Sequence, residues 1–129
     1  MHGFPMRSMV AVLAAASVAG CYSLDDVRQR PVSWRADYAG LTMEEMTACL
    51  APQYVKEYSV AAIPNPKAKL TTITLGAPSG SAVLAEFEVI QTGSDRVEVT
   101  WRHMGSTPER PGPVGRDARE RADRCAKIQ

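Results

Sequence analysis

Few side chains in this sequence are placed to do chemistry. Beyond the first twenty residues the only imidazole is His103, so a nucleophile–base pair would have to use it as the base. It stands at the end of an alternating apolar–polar run, where an ordinary surface or edge histidine is also at home. Three glutamates, Glu86, Glu88 and Glu98, fall on the polar side of two such runs. Carboxylates grouped on one face could divide acid and base work between them, but outward-facing strand glutamates are usually just solvated. Zinc needs about three or four His, Cys or carboxylate ligands, and the set here is thin. No phosphate-cradling loop, no GxSxG turn and no dinucleotide fingerprint occurs. The residues thus point away from an enzyme, and no cofactor or metal is expected.

The cysteines say more. There are three, Cys21, Cys49 and Cys125, and an odd count flags a free thiol, an intermolecular bridge or a modified residue. Cys21 closes the run Val18-Ala19-Gly20-Cys21. Before it, residues 1–8 carry one basic side chain, Arg7, and residues 9–19 are small, apolar and uncharged. A basic start and a short apolar core make a secretory signal. The core is too short for a transmembrane helix, which needs about 20 apolar residues. An ordinary secretory signal with a coincidental cysteine would share this layout.

The four-residue box resembles the lipobox of bacterial lipoproteins. That resemblance implies removal of residues 1–20, a diacylglyceryl thioether on Cys21 and attachment to a membrane through acyl chains. Tyr22 follows Cys21; in lipoproteins similar to those of enteric bacteria an Asp there favours the inner membrane, so the outer membrane is favoured here, facing the periplasm. Export would place Cys49 and Cys125 in an oxidising compartment, where a disulfide persists. Closing so long a loop would contribute roughly 4.5 kcal/mol. The alternative, a redox or metal pair, lacks a CxxC and a neighbouring histidine.

All fourteen acidic residues and fourteen of the fifteen basic ones lie after residue 20. The exported chain would be neutral, with no electrostatic case for nucleic acid. The residue balance, 45% hydrophobic and 22% charged, is that of one globular domain.

The elements that would position these groups follow from pattern. Residues 21–36 mix charges with Pro31 and suggest a lipidated N-terminus and tether spanning roughly 20 Å if flexible, with Trp34 able to dock instead. The domain is expected over 37–129. Thr42-Met43-Glu44-Glu45 is a capping box, with Leu41 and Met46 as a hydrophobic staple. Met43, Met46 and Leu50 then share a helical face beside Cys49, and Pro52 follows. Such a methionine stripe is more often core than binding groove. Strands are expected at 54–62, 68–76, Ser81–Gln91 and Arg96–His103, the last two joined by Thr92-Gly93-Ser94-Asp95. Their apolar and charged faces imply an antiparallel sheet covered on one side only. Residues 104–115 look like a Pro/Gly loop, and a second helix is expected from Arg116, with Ala118, Ala122, Cys125 and Ile128 along one side. Its arginines are interleaved with acids as Asp117–Arg121, Glu120–Arg124 and Asp123–Lys127. That spacing favours a solvated face over a phosphate site. The expected fold is α+β: helix, four-stranded antiparallel sheet, C-terminal helix and a Cys49–Cys125 disulfide.

A second resemblance is shorter. Gly40-Leu41-Thr42-Met43-Glu44-Glu45-Met46 with Leu50-Ala51-Pro52 is similar to a segment of small outer-membrane lipoproteins accessory to the β-barrel assembly machine. It implies a scaffold rather than an enzyme. The chain departs from that family at Ala51-Pro52, in its fourth strand and in its closing helix. The expected function is a lipid-anchored accessory or scaffold for a membrane complex, with an envelope protein as partner. The alternative is a module that binds a small apolar ligand or inhibits an exported enzyme. An enzyme would require Glu86, Glu88, Glu98 or His103 to converge in a cleft.

Overall fold

A computed structural model describes residues 23–128. The signal segment and the lipidation expected at Cys21 lie outside the described residues. Helix α1 (Leu24–Arg28) is followed by β1 (Trp34–Ala39), α2 (Met43–Leu50), a 3₁₀ turn (Ala51–Tyr54), β2 (Ser59–Asn65), a second 3₁₀ turn (Pro66–Ala68), β3 (Leu70–Gly76), β4 (Val83–Gly93), β5 (Arg96–His103) and α3 (Gly112–Ile128). One antiparallel sheet has the strand order β1-β5-β4-β3-β2.

The sheet has five strands, not the four expected. The extra one, β1, begins inside the stretch expected to be a tether. Trp34, Ala36 and Tyr38 alternate with Arg35 and Asp37, and the register sets Trp34 against Trp101, Ala36 against Val99 and Tyr38 against Val97. The hydrophobic alternation of β5 thereby continues into β1, and the edge of β5 gains a backbone partner. The strand expected at 54–62 starts only at Ser59, because the chain leaves α2 through the 3₁₀ turn. Pro52 sits in the first turn of that element, where its missing N–H costs nothing. Helix α3 starts four residues before Arg116, at Gly112 with φ +71° followed by Pro113.

Two helices cover one face of the sheet. Helix α2 is capped as the sequence indicates: the Thr42 hydroxyl accepts from Glu45 N–H at 3.2 Å, and the Glu45 carboxylate accepts from Thr42 N–H at 3.0 Å. Leu41, Met46 and Leu50 are buried against Ile73, Leu75, Phe87, Val89, Val97, Val99 and Trp101. Ala118 and Ala122 bring α3 onto the same core. Phe87 is its centre, with ring centroids 4.6 Å from Trp101 and 5.7 Å from Tyr54. The disulfide joins Cys49 of α2 to Cys125 of α3, their Cα atoms 5.8 Å apart.

The opposite face is not left bare, as the pattern implied. Ser23 and Asp26 form a second capping box that starts α1. Val27, on its inner side, is fully buried. Thr100 and Glu86 on this face are also buried, and α1 lies against β4 and β5. A five-residue helix has little stability of its own, so this docking sustains it.

Candidate functional site

The sequence drew attention to Glu86, Glu88 and Glu98, and the structure places all three on the face that carries α1. They alternate with the core residues Ala85, Phe87, Val89, Val97 and Val99. They do not converge. Each carboxylate meets a different arginine: Glu86 Oε1 lies 3.2 Å from Arg28 Nε, Glu88 pairs with Arg102, and Glu98 Oε1 lies 3.2 Å from Arg35 Nη1. Arg102 also donates from Nε to the Arg30 carbonyl at 3.2 Å, tying the end of α1 to β5.

Glu86 differs from the other two. It is 1% exposed, and its second oxygen, Oε2, is buried without a hydrogen-bond partner among the described residues. Burial pushes its carboxyl above the usual carboxylate range, and the Arg28 guanidinium offsets only part of that rise. Beside it a groove of about 430 Å³ opens on the same face, lined by Arg28, Ile63, Leu70, Thr72, Glu88 and Arg102. Its charged groups already neutralise one another, which suits a structural seam better than proton transfer.

His103 ends β5 half-buried, its ring stacked on Trp101 with centroids 5.9 Å apart. Nδ1 accepts from Gly105 N–H at 3.0 Å, and Ser106 Oγ lies 3.3 Å away. This is the nearest approach to a nucleophile–base pair. Ser106, however, is 1% exposed and donates its proton to the Pro111 carbonyl at 2.8 Å. Burial, and then the charge of Arg30, hold the imidazole below its ordinary pKa. The histidine is therefore a neutral acceptor that closes a turn.

The α3 arginines clamp the helix down. Arg121 reaches Asp117 at 2.8 Å, the Gln53 carbonyl at 2.9 Å and Glu57 at 3.5 Å, with its guanidinium 4.3 Å from the Tyr54 ring centroid. The expected Asp117–Arg121 pair is present. Asp123 instead pairs with Arg119 at 3.2 Å and accepts from the Tyr38 hydroxyl at 2.6 Å, because β1 lies against that side of α3. The Tyr38 phenol is pushed well above its ordinary pKa by burial and by that carboxylate.

A larger groove, about 610 Å³, lies between the start of α2 and the β2–β3 hairpin, with Thr42, Met43, Pro64, Lys69 and Gln91 in its wall. Gln91 Oε1 accepts from Met43 N–H at 2.6 Å, so with Thr42 it satisfies donors that an anion would otherwise use. Among the described residues no cluster of three or more His, Cys, Asp or Glu could hold a metal, and no helix is long and apolar enough to cross a membrane. The arginine partners Arg28, Arg35 and Arg102 are what sequence reasoning missed. Arg102, alternating with Glu98 and Thr100, was the one visible signal.

Comparison with protein-family models, with curated proteins and with solved structures finds no match.

Proposed function

We propose that this chain is a lipid-anchored, non-enzymatic lipoprotein of a bacterial cell envelope. In this reading it serves as an accessory or scaffold for a membrane complex, attached through acyl chains on Cys21 and facing the periplasm, with the outer membrane favoured. The observation that carries the reading is the lack of slack between anchor and domain. Ser23, the cap of α1, is only two positions past Cys21, so the chain between them can reach no further than about 7 Å. A domain mounted so close to a bilayer is suited to work on that surface. Two or three acyl chains give a stable hold where one would be marginal. The ion-paired glutamates and the committed Ser106 proton weigh against an enzyme. The space that a small apolar ligand would need between sheet and helices is occupied by Tyr54, Phe87 and Trp101.

The anchor is open to a direct test. Intact-mass analysis of the membrane-extracted protein should show loss of residues 1–20 and an acylated Cys21. Cys21→Ala should move the protein to the soluble fraction. A wild type that is soluble and unmodified would end the proposal, and cross-linking in the native envelope should capture a membrane-complex protein.

A further inference from the structure

The chain toward Cys21 leaves the domain from one particular side. Helix α1 lies on the outer face of the sheet, against β4 and β5. From Ser23 to Arg28 it spans about 7.5 Å, and the chain from Cys21 to Ser23 adds at most about 7 Å. Arg28 forms one wall of the groove of about 430 Å³ on that face, so this wall lies within roughly 15 Å of the Cys21 attachment point. Much of the remaining wall belongs to β2 and β3. The register sets Ile63, Thr72 and Glu88 in one row and Leu70 and Ile90 in the next, all directed away from α2 and α3. Ile63 is 54% exposed, and Leu70 and Ile90 are partly exposed beside it.

We infer that this open part of the outer face is a membrane-contact surface. It rests on the bilayer that holds the Cys21 lipid, with Ile63, Leu70 and Ile90 turned toward the boundary between headgroups and acyl chains. The inference depends on the anchor reading and adds the face by which the domain meets lipid. Strand β2 carries no charge, and the charges flanking the patch are paired, Glu88 with Arg102 and Glu86 with Arg28. Contact with lipid therefore buries no carboxylate without a partner. Arg28 commits Nε to Glu86 while its side chain stays 50% exposed, so its terminal nitrogens can donate to phosphate or carbonyl oxygens of the lipid. The helical side is unsuited to such contact: Glu44, Glu45, Arg116, Glu120 and Arg124 are all exposed there, a mixed-sign surface best left in water. A patch this small would hold lipid only weakly from solution. A tether of two residues raises the effective concentration to the millimolar range or above and turns a weak contact into a standing one.

Single added cysteines test this in the full-length acylated chain, reconstituted in phosphatidylcholine vesicles. Cys49 and Cys125 are bonded to each other and an acylated Cys21 is blocked, so a thiol-reactive fluorophore should enter only at the added site. Ala61 and Ala62 are exposed neighbours on opposite faces of β2, Ala61 on the outer one. Apolar faces at a membrane interface sit about 5–10 Å deep, so nitroxide-bearing lipids should quench the label of Ala61→Cys about threefold more than that of Ala62→Cys. Val55→Cys, exposed beyond the turn that follows α2, should behave like Ala62→Cys. Adding Ile63→Asp, a charge at a half-exposed position, should bring the Ala61→Cys signal down to the Ala62→Cys level without changing the thermal midpoint. Equal quenching at positions 61 and 62 in a chain that floats with the vesicles would overturn the contact and leave the anchor standing. A parent chain that takes up the label, or that fails to float, would defeat the anchor reading and this inference with it.

Discussion

Opening the Cys49–Cys125 bridge should cost this fold about 4.5 kcal/mol. The bridge spans a sequence separation of 76 residues, and a cross-link restricts the unfolded chain by an entropy that grows with the logarithm of loop length. For a loop of this size that amounts to about 4.5 kcal/mol at 25 °C, set against a typical domain stability of about 5–15 kcal/mol. The perturbation is the double variant Cys49→Ala/Cys125→Ala. Cys125 is fully buried, so its shortened side chain adds a packing loss to the entropic one. Urea unfolding followed by fluorescence of Trp34 and Trp101 should give a lower stability and a steeper denaturant dependence, because the uncrosslinked chain exposes more surface when it unfolds. A stability loss below about 1 kcal/mol, well under the usual disulfide contribution, with an unchanged slope would refute the loop-closure reasoning.

Two further outcomes follow from the α1 face. Burial makes the folded state hold the Glu86 proton more tightly than the unfolded chain does. Its contribution to stability therefore falls as pH rises from the ordinary carboxylate range through the raised folded value. Glu86→Gln should flatten that part of the profile, measured as thermal midpoint between about pH 4 and pH 8, where ordinary carboxylates finish titrating; an unaltered slope would assign the dependence to another group. Val27→Ala removes buried methyl groups where α1 meets the sheet and should cost about 2 kcal/mol. It should also speed tryptic cleavage after Arg28, seen as early loss of N-terminal mass; equal rates would mean that α1 is not held by this contact.

The parts of the fold carried by local chemistry were legible in the sequence. The capping box of α2 and the span of β5 match residue for residue, and the Cys49–Cys125 bridge follows from the cysteine count once Cys21 is set aside. The parts carried by distant partners were not. Strand β1 has only three apolar residues in alternation, so its identity depends on a free β5 edge whose paired residues lie 57 to 67 positions away. Helix α1 is too short to show a period, although Ser23 and Asp26 stand at capping-box spacing. In β2, Pro64 falls within the strand, which is tolerated only because β2 is an edge. The acids of the candidate site were visible as a row. Their neutralisation was not, since Arg28 and Arg35 lie 58 and 63 positions from Glu86 and Glu98.

The disulfide also divides the chain mechanically. Strands β2 to β5 lie inside the covalent ring from Cys49 to Cys125, while α1 and β1 lie outside it. A pulling force entering from the N-terminal side, where the anchor is proposed, meets α1 and then β1 first. The stretch from Ser23 to Cys49 could pay out about 90 Å of slack under tension. The ring locks away roughly 260 Å more, which no load can release while the sulfurs stay joined. Tugged by its membrane, the domain would shed an edge strand and keep its centre intact.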